Sequence, residues 1–162
     1  MNCYNGEAFL RESIESVLSQ TYENWELIFW DNRSEDKSAE IFRNYNDKRF
    51  KYYYASKHTL LYEARNEAIK RSSGDFIAFL DTDDFWQKDK LELQLPLFKD
   101  PKVGVVYGNI FIINEALNTK KILLKGRKPR GLILDELLKN YCTPLVTLVV
   151  RKSFLDNYQP VF

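Results

Sequence analysis

The sequence is poor in the residues that build metal clusters and disulfide scaffolds. Its two cysteines, Cys3 and Cys142, match no zinc or redox spacing, and the single histidine, His58, cannot make a histidine metal site. This usage fits a reduced, cytosolic compartment. A surplus of one charge is lacking too. The 24 Lys and Arg against 23 Asp and Glu leave a net +1, which excludes a broad electrostatic footprint for nucleic acid or an acidic membrane. No apolar run approaches the ~20 residues that span a bilayer, and no charged segment followed by an apolar one opens the chain. A soluble protein is expected, at most peripheral to a membrane. Repeats, low-complexity tracts and linkers are absent, so 162 residues should make one domain with a core of its own.

Aromatic residues are plentiful at 15%, enough for packing over a sheet with some rings left to stack on sugars or bases. The one basic cluster lies between Lys120 and Arg130 and includes Lys121, Lys125, Arg127 and Lys128. It reads as a solvated loop, or alternatively as a flap over a phosphorylated or lipid-linked acceptor.

Periodicity gives alternating elements. After the turn signal Tyr4-Asn5-Gly6, the segment from Glu7 to Gln20 carries Leu10, Ile14, Val17 and Leu18 at helical spacing. Strands are predicted at Glu26 to Trp30, Phe50 to Tyr54 and Phe76 to Leu80, with helices at Lys37 to Tyr45 and Leu61 to Arg71 between them. Further on, a helix is predicted from Asp89 to Phe98, cut short by Pro96. Strands follow at Val103 to Tyr107, Asn109 to Ile113 and Val146 to Val150, with a short helix at Leu132 to Asn140. Strand and helix in alternation imply βαβ units and a mainly parallel sheet, an α/β fold.

The most informative stretch is Phe76 to Trp86, FIAFLDTDDFW, where an apolar run ends in three carboxylates. A buried strand that ends so places Asp81, Asp83 and Asp84 in the crevice where open α/β sheets bind ligands. They repel one another unless a cation joins them, and Mg²⁺ or Mn²⁺ with a substrate phosphate suits such hard oxygens. The plainer reading is that Asp83 or Asp84 caps the next helix. Two more loops should reach the same edge. Asn2 to Glu7 offers a ring, an amide and an acid, and Asp31 to Asp36 offers Asp31 and Asn32 for a base edge or ribose hydroxyls.

Three strings resemble glycosyltransferase family 2, of the GT-A fold: YNGEAFLRESIESVLSQTYENWELIFWDN from Tyr4, ARNEAI from Ala64 and GDFIAFLDTDDFW from Gly74. The resemblance implies a Rossmann-like sheet flanked by helices, with the nucleotide-sugar-binding part in residues 1–100 of a single domain. It implies that Tyr4 packs on the base, and that Glu7, Asp31, Asn32, Arg65, Asn66 and Asp81 line the nucleotide-sugar site. Asp81 and Asp83 would match the DxD motif that meets the metal. Arg65 could instead pair with a helix neighbour.

The chain departs from the family pattern in three places. Asn32 stands where an aspartate is usual, which puts uridine specificity in question. Only Met1 precedes Asn2, where the family has a buried central strand, so modest stability is expected and strand exchange into a homodimer is open to it. The family's catalytic base lies beyond Phe162, so no base is assigned and the chain is expected to be a GT-A domain truncated at both ends. The activity implied is metal-dependent transfer of a sugar, with inversion, from a nucleoside diphosphate sugar to a hydroxyl of a saccharide or lipid-linked acceptor. Polysaccharide synthesis in the cytoplasm, at the inner face of the membrane if peripheral, would house it. Competing readings are a non-catalytic nucleotide-binding remnant and a phosphohydrolase with Asp81 as nucleophile.

Overall fold

A computed structural model describes residues 1–114, 116–126, 128–140 and 142–156. Three parallel strands open it, in the order β1 (Asn2–Cys3), β2 (Leu27–Asp31) and β3 (Phe50–Tyr54). Helices α1 (Leu10–Leu18), α2 (Ser38–Arg43) and α3 (Leu61–Lys70) alternate with them, as the periodicity predicts.

All five residues of β2 are buried, which marks it as central. Alternation along the strand divides its side chains between two cores. Leu27 and Phe29 pack with Leu10 and Ile14 of α1 and Ile41 and Phe42 of α2, whereas Ile28 and Trp30 pack with Ala64 and Ala68 of α3. Aromatic stacking fills the first core, with the Phe29 and Phe42 ring centroids 4.2 Å apart.

The later half is antiparallel. Strands β4 (Phe76–Ala78) and β5 (Val105–Val106) flank β8 (Val149–Arg151), which runs against both. The chain between β4 and β5 forms α4 (Lys90–Gln94) and then a 3-10 turn, Leu95–Lys99, where Pro96 ends the regular helix early as expected. The expectation of a mainly parallel sheet therefore holds for the first half and not for this one, because β8 returns from a distant part of the chain to lie between two strands. A hairpin of β6 (Phe111–Asn114) and β7 (Thr119–Ile122) stands apart, followed by α5 (Leu134–Lys139) and α6 (Lys152–Asp156). The sequence reading took β7 for loop.

Among the described residues, the two three-stranded sheets meet at one parallel bridge, Asn2 with Asp81. Asn2 also pairs with Trp30, so β1 is central and only two residues long. Behind it, a cavity of about 490 Å³ separates Leu27 and Ile28 from Phe76, Ile77 and Ala78. The Met1 ammonium sits at its end and donates to the Ile28 carbonyl at 2.9 Å. No helix among the described residues is long and apolar enough to cross a membrane.

Candidate functional site

The three loops singled out in the sequence converge where β1 and β2 end and β4 gives way to the acidic turn. Gly6 makes the closest approach. A Cβ there would stand 2.8 Å from Thr82 Oγ1 and 3.2 Å from Cys3 Sγ, so only glycine lets the first loop lie against the third. From α1, Ser13 fastens the acidic turn, with its hydroxyl 2.8 Å from the Thr82 carbonyl and 2.5 Å from that of Asp84. Sequence reasoning missed Ser13. The signal was a small polar residue inside the apolar stripe of Leu10, Ile14 and Val17.

The first and second loops are laced together by reciprocal bonds. Glu7 Oε2 accepts the Lys37 N–H at 2.8 Å, and the Glu7 N–H donates to Asp36 Oδ2 at 2.9 Å. Asn5 Oδ1 accepts from the Glu35 N–H at 2.8 Å, while the Asn5 and Gly6 N–H groups donate to the hydroxyls of Ser34 and Ser38. Burial alone would push the Asp36 carboxyl up, but the hydrogen bonds from Ser38 and from the Glu7 N–H outweigh it and hold it below the usual carboxylate range.

Asp31 lies beneath this lacework and is fully buried. One carboxylate oxygen accepts from the Ser34 N–H and the other from the Tyr52 hydroxyl, both at 2.7 Å. Its observed role is to anchor the second loop. Asn32 is buried as well, with Nδ2 donating to the Thr59 carbonyl at 2.7 Å and Oδ1 accepting from the Thr59 N–H and hydroxyl. The Asn32 carbonyl is 2.9 Å from His58 Nδ1, and the His58 ring lies 4.3 Å from that of the half-exposed Tyr4. Tyr4 and His58 thus form an aromatic wall, of which the sequence reading foresaw one half.

The Arg65 guanidinium reaches from α3 to both oxygens of Asp81, at 3.0 Å each. This ion pair, made through one guanidinium nitrogen, joins α3 to the acidic turn, in place of the helix-neighbour pairing considered above. Asn66, one residue on, is buried on the inner side of α3. Asp83 is exposed. Burial, then the charges of Asp83 and Asp81, push the Asp84 carboxyl up. That repulsion is what a cation would relieve, and the oxygen donors fit Mg²⁺ or Mn²⁺, which take one or two carboxylates with substrate phosphates. No group of three or more His, Cys, Asp or Glu among the described residues is placed to hold a metal ion by itself. Beyond the acids, a groove of about 950 Å³ opens between Phe9, Trp86 and Tyr107.

Comparison with known proteins sharpens this picture. The description of Glycosyl transferase family 2 matches residues 1–156. The chain is 36% identical over 158 residues to an Escherichia coli UDP-Glc:alpha-D-GlcNAc-diphosphoundecaprenol beta-1,3-glucosyltransferase, WfgD, covering 98% of this chain and 61% of that protein. It is 31% identical to a putative teichuronic acid biosynthesis glycosyltransferase of Bacillus subtilis, TuaG, over 96% of this chain and 62% of the relative. The chain thus spans about 61% of the first of these relatives. Among solved structures, S. aureus TarS in complex with UDP-GlcNAc aligns with a TM-score of 0.79 at 20% identity, over 96% of this chain and 45% of that one. A Pyrobaculum calidifontis mannosyltransferase in complex with GDP-Man and Mn²⁺ aligns at 0.71 and 15%, over 96% and 44%. These structural likenesses carry the fold.

Proposed function

The chain belongs to glycosyl transferase family 2 and has the GT-A fold, and from that premise we propose that it binds a nucleoside diphosphate sugar for transfer to an acceptor hydroxyl. The observation that supports this most directly is the convergence of three loops on one crevice, with Arg65 and Asp81 on one side and the Tyr4–His58 wall on the other. A base can stack on the exposed face of Tyr4, while Asp31 and Glu7 keep the loop beneath it in place. The buried Asn32 and Asn66 are assigned to the same site by their match to the family motifs. Arg65 orients Asp81 at the diphosphate.

Asp83, with Asp81 beside it, would hold a divalent ion, which when bound supplies charge neutralisation on the leaving diphosphate. The groove past Trp86 is the place for the acceptor, whose hydroxyl attacks from the face opposite the diphosphate with inversion. WfgD is named for UDP-Glc and a diphosphoundecaprenol-linked acceptor, and TarS is seen with UDP-GlcNAc, so a uridine donor and a lipid-linked saccharide acceptor are the proposed pair. We assign no base among the described residues. Such an enzyme works in the cytoplasm, touching the membrane only peripherally, and a homodimer is compatible with this reading.

Calorimetric titration with UDP, GDP and dTDP, each with and without Mn²⁺, tests the proposal. Metal-dependent binding of one diphosphate is expected. Failure to bind any of them refutes the donor site, whereas binding without sugar transfer in the presence of acceptor leaves a nucleotide-binding remnant. Hydrolysis of simple aryl phosphates would favour the phosphohydrolase reading instead.

A further inference from the structure

The β6–β7 hairpin and the loop after it break the pattern of the rest of the molecule. Every described residue of both strands is exposed, including Phe111, Ile112 and Ile113, which with Lys120 form the far wall of the groove past Trp86, and Ile122, although these are side chains that folding normally hides. Leu117 at the hairpin tip is 70% exposed, and Leu132 is fully so. Charge is concentrated in the same place. Residues 111–139 hold seven Lys and Arg against three acids, a surplus of four in a chain of net +1, so the remainder carries a net −3.

The segment is closed at its base and tied to the residues after β5. The Asn109 side chain clamps Leu124 through both its N–H and its carbonyl, at 3.0 and 2.7 Å, and the Leu123 N–H donates to Ile110 O. Further along, the Tyr107 hydroxyl donates to the Pro129 carbonyl at 2.8 Å. Lys120 covers the Phe111 ring with its ammonium 4.0 Å from the centroid, keeping the charge outward over an apolar base. Basic heads above exposed aliphatic groups suit the interface of a bilayer, where apolar side chains enter the headgroup layer and lysines meet anionic lipid.

We infer that the β6–β7 hairpin and the basic loop after it dock on an anionic lipid bilayer, with Leu117 and Leu132 entering the headgroup layer and Lys120, Lys121, Lys125 and Arg130 meeting the lipid phosphates. The inference rests on the membrane contact proposed above and names its surface, and its test reads lipid binding without any glycosyl transfer.

Flotation of the whole protein with vesicles of phosphatidylcholine, and with vesicles that also contain phosphatidylglycerol, tests it. Binding is expected to the second kind only, and to weaken as salt rises. One basic residue near such a surface is worth about fivefold in partition, so Lys120→Ala with Lys121→Ala and Lys125→Ala should lower binding on the order of a hundredfold. Removing the same charge elsewhere, by Lys48→Ala with Lys99→Ala and Lys102→Ala, should change it far less. Leu117→Asp with Leu132→Asp should also release the protein, while its circular dichroism and melting point stay those of the parent. Equal binding to both vesicles, binding to neither, or retention by the lysine triple variant overturns the inference. So does self-association in sedimentation that Leu117→Asp abolishes, since the face would then meet a second copy.

Discussion

Replacing Tyr52 with phenylalanine takes away one oxygen and leaves the ring. The ring stays beside the stacked Phe29 and Phe42 pair, 5.8 Å from each by centroid, so the core keeps its shape. What is lost is the donor 2.7 Å from Asp31 Oδ2. Asp31 is fully buried, and its carboxylate is left with the Ser34 N–H on the other oxygen. Hydrogen bonds to charged groups are worth about 1.5–3 kcal/mol, so a loss of about 2 kcal/mol is expected for Tyr52→Phe. At about 2.1 cal/mol/K of unfolding entropy per residue, a chain of this length should melt about 6 °C lower.

The change also has a pH signature. Burial, then the hydrogen bond to Asp31 and its charge, push the Tyr52 hydroxyl well above its ordinary value. The folded state therefore keeps a proton that the unfolded state releases, and the stabilisation is complete below about pH 10 and fades above it. The parent should lose stability above that pH, the phenylalanine variant less so, and the gap between their melting curves should narrow. Thermal melts at pH 7, 9 and 10.5 would measure this. A gap under about 0.5 kcal/mol at pH 7, or one that stays constant with pH, would refute the anchoring role of the pair.

Asp83→Ala should abolish the metal-dependent part of nucleotide binding in calorimetry while leaving the melting point nearly unchanged, because Asp83 is exposed. Lys90 has a buried Nζ with no hydrogen-bond partner, and burial pushes its amine down to about 7. The unfolded chain binds that proton up to about pH 10, so the parent gains stability as pH rises between these values. Lys90→Met should raise the melting point, and by more at pH 6 than at pH 9. Asn32→Asp sets a carboxylate oxygen against the Thr59 carbonyl, now 2.7 Å from Nδ2, and should cost about 1–3 kcal/mol in a melt. Tighter binding of UDP by that variant is expected if Asn32 reads the base, and unchanged affinity removes it from base recognition.

Much of the fold is legible because its first half obeys local rules. Leu10, Ile14 and Val17 mark α1, and the apolar run at Leu27 marks a strand buried on both faces. The strand β7 has no such mark. Thr119–Ile122 reads TKKI, and its pairing with β6 is an exposed hairpin with no apolar alternation to announce it. The place of β8 between β4 and β5 depends on contacts across some seventy residues of sequence, which no local pattern encodes. The acids of the site were visible as types but not as directions. Nothing in WDNRS tells that the Asp31 side chain turns inward to a tyrosine two strand positions from the end of β3, whereas Asp83 stays out. The parts played by His58 and Thr59 escaped notice because both hold Asn32, and a holding residue needs no distinctive type.

The bridge between Asn2 and Asp81 makes the crevice a seam. Each sheet has its own core, and at the crevice itself Arg65, Ser13 and that bridge stitch one margin to the other, while Gln20, Thr21 and Glu26 tie the two halves together away from it. A ligand laid across it acts as a suture. Its binding would add cross-links that the empty protein lacks, so amide exchange should slow in both sheets together, far from any atom the ligand touches. Recognition and mechanical closure of the molecule are then one event, and the chain is at its stiffest while it holds its ligand.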